Sequence, residues 1–345
     1  MSNIEKNELQ KKIILITSGD PSSIAPEITI KALQSSKINK NIFPVIVTDP
    51  QLIQNYNDII IDNWKINEIK DQSNFTDYKV NYFNIISIPI NDIVRLGKPS
   101  IVNCEFIKSS ILKCIELESK TSVSAIVTNP INKKIMYKSG FKYAGHTEFL
   151  ASHSKINTQP VMMLVAQDLK TVPLTIHVPI SEVSGLISKE LIIKTVKIVA
   201  KDLTEYFGIN KPKIFITGLN PHAGENGEIG SEEQNIIIPA IRKIKNSNDF
   251  EIQGPFSADT LFSSEARKTY DVVICMYHDQ ALIPIKTIDF NNGVNVTLGL
   301  DFIRTSPDHG TGFDIAGKNN ASPDSLIAAI NLAYSMSVNK DRSSK

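Results

Sequence analysis

Five consecutive apolar residues, Val272-Val273-Ile274-Cys275-Met276, give way abruptly to Tyr277-His278-Asp279-Gln280. A run so short and so uniformly apolar reads as a strand buried on both faces, the habit of a parallel sheet. Similar runs recur at 12–19, 43–48, 124–128, 160–166, 172–177, 213–218 and 293–300. Between them lie segments with helical spacing: from about residue 24, then 102–120, 146–154, 181–207, 232–245, 258–269 and 322–337. Ser22 or Ser23 can cap the first of these helices, with Pro26 and Glu27 in its opening turn. Residues 50–95, rich in Asn and Asp, read as irregular. Strands alternating with helices predict an α/β fold with a mostly parallel sheet and helices on both faces.

In such sheets ligands sit beyond the carboxyl ends of the strands, and that is where the histidines fall. Of six, His177, His222 and His278 each follow an apolar run. Three imidazoles at one sheet edge could converge on a metal with an open coordination position. Equally, each could be a separately hydrogen-bonded histidine at a strand end. His146, in Gly145-His146-Thr147-Glu148, opens a helix, where exposed amides favour an anion; simple capping by Thr147 accounts for the same residues. His153, between two serines, reads as part of a solvated helix face. Lys286, Asn295 and Arg304 could clamp a phosphate or carboxylate, or the two cations could be solvated with their stems packed on the core. No GxGxxG or Walker lysine is present; Gly224, Gly227 and Gly230 do not make the dinucleotide fingerprint.

A length of 345 residues allows two domains. With 37 basic and 36 acidic residues, net charge +1, no global field recruits nucleic acid or a membrane surface. No apolar run approaches the ~20 residues of a membrane span. Residues 1–12 are polar, and Ile13–Ile16 is too short for a signal-peptide core. Three scattered cysteines, Cys104, Cys114 and Cys275, suit reduced thiols in a cytoplasm. No repeat or low-complexity linker appears, so two subdomains would be interleaved.

Several motifs together carry a resemblance. Gly19-Asp20-Pro21, Thr128–Lys133 (TNPINK), Gly145–Leu150 (GHTEFL), Gly218–Glu225 (GLNPHAGE), Gly254–Phe262 (GPFSADTLF), Met276–Gln280 (MYHDQ) and Gly293–Thr311 resemble the 4-hydroxythreonine-4-phosphate dehydrogenase family, in its order, from about residue 13 to 335. The loop 308–323 also resembles the HGxxPDIAGKxxANP loop of isocitrate and isopropylmalate dehydrogenases, which bind NAD(P) without a Rossmann fold.

The resemblance implies an α/β/α sandwich of two interleaved subdomains around a cleft, residues 1–130 with 300–345 and residues 131–299, in a homodimer with active sites at the subunit interface. It implies that His177, His222 and His278 bind a divalent metal shared between subunits (Zn²⁺ or Co²⁺ suiting three imidazoles better than Mg²⁺). It assigns His146, Thr147, Lys286, Asn295 and Arg304 to a phosphorylated hydroxy acid. His309, Gly310, Asp314 and Asn319 fall to the nucleotide loop, where a carboxylate at Asp314 favours NAD over NADP. Lys286, Asp259 and Asp279 are the candidate catalytic or histidine-orienting groups. The implied reaction is metal-assisted oxidation of 4-phosphohydroxy-L-threonine, then decarboxylation to 3-amino-2-oxopropyl phosphate, in pyridoxal 5'-phosphate biosynthesis. Dehydrogenases of D-threonate or D-erythronate 4-phosphate carry similar motifs, and a zinc hydrolase or a structural metal protein is a more distant reading of three histidines. Two departures stand out: the usual GDPAGIGPE is here GDPSSIAPE at 19–27, and Asn129 replaces a usual alanine, adding polar reach near the cleft.

Overall fold

The computed structural model of the chain describes residues 11–61, 64–143, 145–156 and 159–343; most of the polar segment read at 1–12 lies outside them. The chain forms two compact units, Met1–Lys142 with His309–Ser337, and Tyr143–Asp308 with Val338–Lys345. The expected division fell at 130/131 and 299/300.

The first unit is built on β1 (Lys12–Thr17), β2 (Ile42–Thr48), β3 (Lys65–Glu68), β4 (Tyr82–Ser87) and β5 (Val123–Val127), in the order β3-β4-β2-β1-β5 with every pairing parallel. Apolar residues on both faces explain that choice: Ile14, Leu15, Ile16, Val45, Phe83 and Ile85 are all buried. β3 and β4 lie within the stretch read as irregular. β3 (Lys-Ile-Asn-Glu) has a single apolar residue, and in β4 Asn84 interrupts the apolar run, so the local signal is weak and the sheet supplies the rest.

The entry to the helix Ala25–Leu33 shows why two family glycines are dispensable here. Ser23 lies outside the left-handed region and Ala25 is helical, so neither position needs a glycine. The Ser23 hydroxyl donates to the Asp20 carbonyl (2.6 Å) and accepts from the Ala25 amide (3.0 Å), closing the turn itself. Gly19 is different: its φ is +69°, and a Cβ there would meet the Asn129 Cβ at 2.6 Å. Asn129, expected to add polar reach near the cleft, commits its amide nitrogen within the fold, and its buried side-chain oxygen has no hydrogen-bond partner. The residue is fully buried, donating its amide to the Thr17 carbonyl (2.9 Å) and the Thr29 hydroxyl (2.8 Å), which ties β1 and β5 to the helix.

The second unit carries β6 (Val161–Ala166), β7 (Leu169–Pro173), β8 (Lys213–Thr217), β9 (Glu251–Phe256), β10 (Val272–Cys275), β11 (Val294–Leu298) and β12 (Arg304–Pro307), in the order β12-β11-β6-β7-β10-β8-β9. The pairings from β7 to β9 are parallel; β12, β11, β6 and β7 pair antiparallel. β9 and β12 were not expected as strands, and the helix expected at 258–269 shrinks to Ala258–Leu261 with a tight turn at Ala266–Lys268. The long helix read at 181–207 breaks into Ile180–Leu186 and Lys189–Phe207, because the Ser188 hydroxyl accepts from the Leu191 amide (3.1 Å) and starts the second helix afresh. A core cluster of Leu164, Leu169, Phe215, Tyr270, Val273 and Cys275 lies against Ala281 and Ile285 of the helix His278–Ile288 and fixes its rotation. Among the described residues no helix is long and apolar enough to cross a membrane.

Candidate active site

β7, β10 and β8 are neighbouring parallel strands, so their carboxyl ends share one edge of the sheet. Side chains stitch those ends together. Gln280, on the first turn of the helix after β10, accepts from the Met276 amide (2.7 Å) and the Thr217 hydroxyl (2.7 Å) and donates to the Gly218 carbonyl (3.0 Å). The Thr175 hydroxyl donates to the Met276 carbonyl (2.8 Å), binding the segment after β7 to the same point.

On this platform His278 is the first residue of its helix, with Tyr277 as cap. Its Nδ1 meets an Asp279 carboxylate oxygen at 2.7 Å, an arrangement that leaves Nε2 to face a ligand. His177, four residues beyond β7, has a left-handed φ of +53°, and its ring centroid lies 5.9 Å from that of His278. His222 is exposed on the turn Pro221–Gly227, where His222, Ala223, Gly224, Glu225 and Asn226 are all left-handed. Such a backbone costs non-glycine residues roughly 1–2 kcal/mol each, so the surroundings must hold it. Among the described residues, no three His, Cys, Asp or Glu side chains lie close enough together to hold a metal ion. The structure thus brings His177 and His278 together but does not complete a three-histidine set within one chain. The Ser257 hydroxyl, 2.5 Å away, is the main cause that holds the Asp259 carboxyl below its ordinary value, with a smaller electrostatic contribution from His222. Of the two candidate orienting carboxylates, then, Asp279 engages a site histidine directly and Asp259 engages Ser257.

The anion-binding candidates lie in the same unit. His146 and Thr147 begin the helix His146–His153, which Gly145 precedes without a side-chain cap, so Thr147 is not a capping residue. His153 lies exposed at the other end, its Nδ1 2.8 Å from the Phe149 carbonyl. Arg304 is not a solvated surface cation. It is 3% exposed in β12 and donates to the Thr297 hydroxyl across the ladder (2.9 Å). Burial pushes its guanidinium down to about 10, opposed by the Glu148 carboxylate, so it remains cationic at neutral pH. Asn295, two residues before Thr297, shares its strand face, and its side-chain oxygen is buried without a hydrogen-bond partner. Lys286 is held by Asp308, 2.5 Å from the carbonyl and 2.7 Å from the carboxylate, with its charge 5.0 Å from the centre of the Phe290 ring.

The nucleotide-loop candidates belong to the first unit. His309 Nδ1 lies 2.9 Å from the Gly310 carbonyl, and Asp314 and Asn319 are exposed, Asn319 with φ +56°. Sequence reasoning missed what holds this loop. Glu27, wholly buried, accepts from the Ala321 amide (2.9 Å) and from Lys31 (2.8 Å), and Lys31 donates to the Asn319 and Ala321 carbonyls (3.1 and 3.0 Å). The i,i+4 spacing of Glu27 and Lys31 signals a pair; nothing in the sequence says that both grip a loop almost 300 residues away. Gln280 and Asp308 were missed for the same reason.

Comparison with known proteins finds relatives along most of the chain. A curated relative from Zymomonas mobilis subsp. mobilis named 4-hydroxythreonine-4-phosphate dehydrogenase is 43% identical over 334 residues, 95% of this chain and 97% of its own. One of the same name from Bradyrhizobium diazoefficiens is 50% identical over 247 residues, 71% of each chain. The crystal structure of 4-hydroxythreonine-4-phosphate dehydrogenase from Klebsiella pneumoniae superposes with a TM-score of 0.84 at 32% identity, covering 94% of this chain and 99% of that one. The family model described as pyridoxal phosphate biosynthetic protein PdxA matches residues 40–333, and the chain belongs to that family of dehydrogenases.

Proposed function

We propose that the chain oxidises 4-phosphohydroxy-L-threonine, with NAD⁺ and a divalent metal, to the 3-keto acid, which decarboxylates to 3-amino-2-oxopropyl phosphate on the route to pyridoxal 5'-phosphate. The observation that carries this reading is the buried cationic Arg304, with the unpartnered oxygen of Asn295 on the neighbouring strand, in the unit that also bears the histidine pair.

The donor set fits a metal of the Zn²⁺ or Co²⁺ type. Imidazole nitrogens suit those ions, and Asp279 occupies Nδ1 of His278, so Nε2 would be the atom left to hold the metal. His177, His222 and His278 would hold it, and the incomplete set within one chain favours a site shared by two copies in a homodimer. Exposed apolar side chains on neighbouring segments, Ile180 (70%), Ile283 (63%) and Phe290 (70%), are ones a second copy would cover. The exposed Asp314 carboxylate suits a ribose 2'-hydroxyl and repels a 2'-phosphate, favouring NAD over NADP. When bound, the metal supplies a Lewis acid and NAD⁺ a hydride acceptor.

The chain's own residues do the rest. Arg304, buried and cationic at neutral pH, and Lys286 neutralise the anionic groups of the substrate, while the Asn295 amide, His146 and Thr147 add directional hydrogen bonds. Asp308 holds Lys286 through two oxygens and so limits where its ammonium can point. The test is NADH formation from 4-phosphohydroxy-L-threonine with the metal present and after chelation. Turnover should vanish on chelation and return with Zn²⁺ or Co²⁺. Undiminished turnover in the stripped enzyme would sink the metal assignment, and absence of NADH with this substrate would sink the reaction.

A further inference from the structure

We infer that Glu233 is the positioning residue that sets His222 for metal binding, an inference that rests on the reading of His222 as a ligand. The turn bearing His222 is an improbable backbone: five successive residues are left-handed, four of them not glycine. Glu233 lies directly beneath it, 1% exposed, in the π-helical turn Glu233–Ile237. Its Oε1 accepts from the amides of Leu219 and Asn220, 2.8 Å each, and its Oε2 from the Asn220 side-chain amide at 2.9 Å. All three donors belong to the two residues that lead into Pro221 and His222. Glu232 reinforces them, its Oε2 accepting from the same Asn220 amide at 2.9 Å.

Gly224 is packed against the same carboxylate, and Gly218 against both it and the Ala223 Cα, which a Cβ would approach to 2.7 Å. A Cβ on Gly224 would lie 2.6 Å from Glu233 Oε2, and one on Gly218 would lie 3.0 Å from Oε1. Only bare backbone can wrap this closely around the acid. A carboxylate kept out of water at such cost needs a compensating job. Its bonds secure no core strand; they go to the entry of the histidine turn. Outer partners of this kind orient a ligand without touching the metal.

The full-length chain carries the test, with Zn²⁺ affinity read by competition against a chromophoric chelator and ligand field by the absorption of the Co²⁺ form. Glu233→Ala and, independently, Gly224→Ala should each weaken Zn²⁺ binding by roughly 10–100-fold and alter the Co²⁺ spectrum. Glu233→Gln, which keeps one acceptor oxygen for both backbone amides, should restore most of the affinity and the parental spectrum. Should Glu233→Ala fail to fold, Glu233→Asp, whose shorter side chain draws the carboxylate away from the Leu219 and Asn220 amides, carries the test instead. His222→Ala is the reference. If it binds Zn²⁺ like the parent, the ligand assignment falls, and this inference with it. If His222→Ala loses the metal while the folded Glu233→Ala or Glu233→Asp keeps parental affinity and spectrum, the role of Glu233 alone is refuted.

Discussion

Gln280→Leu is the substitution that tests whether the strand ends are bound together as described. Gln280 makes three hydrogen bonds, to groups on two different strand ends. Leucine has similar bulk and makes none of them. The Thr217 hydroxyl retains an alternative acceptor, the Ile274 carbonyl at 3.5 Å, but the Met276 amide, in a residue with no exposed surface, and the Gly218 carbonyl lose this partner. A buried polar group left unsatisfied costs about 1–3 kcal/mol. Two of them set the loss at about 2–6 kcal/mol, and leucine's better burial returns about 1–2 kcal/mol of it. The net expectation is a destabilisation of about 1–4 kcal/mol, read as a lowered denaturant midpoint at unchanged m-value. Amide exchange at Met276 should accelerate with it. Because the same bonds fix the relative placement of His278 and the turn after β8, Zn²⁺ affinity should fall as well, by about 10-fold or more. A variant as stable as the parent, with Met276 still protected, would show that the strand ends are held by packing alone.

Two further outcomes follow from the electrostatics. Burial pushes the Asp202 carboxyl up to about 6 from an ordinary 3.8, against the Gly299 amide bond (2.7 Å) that favours its charged form. Between those values the folded state binds more protons than the unfolded one, so stability should fall as pH rises from about 4 to about 6 and then level off. The full penalty is about 3 kcal/mol; Asp202→Asn should recover part of it at pH 7 and flatten the profile, and a variant less stable than the parent at pH 7 contradicts this. Asp279→Asn removes the carboxylate from His278 Nδ1 at an exposed position, so folding stability should stay within about 0.5 kcal/mol. Zn²⁺ affinity should nonetheless drop about 10–100-fold, checked by chelator competition.

The α/β alternation was legible in the residues, because buried parallel strands need unbroken apolar runs and helices need a spaced stripe, and both are local patterns. So were the positions of His177, His222 and His278 after apolar runs, and of His146 at a helix start. β12 was not: Arg-Thr-Ser-Pro at 304–307 has no strand signature, and its antiparallel pairing with β11 is a contact made in the assembled sheet. That pairing also decides that Arg304 is buried rather than solvated, since it places the guanidinium opposite Thr297 inside the sheet. The same holds for Asn129, whose amide finds Thr17 and Thr29 about a hundred residues away, and for Glu233, which has no signal of its own within the helix read at 232–245. Local sequence determines which segments form strands and helices and which polar residues end them. Which charges are buried, and which side chains hold a strained turn in place, depends on contacts between distant residues that exist only once the sheet has assembled.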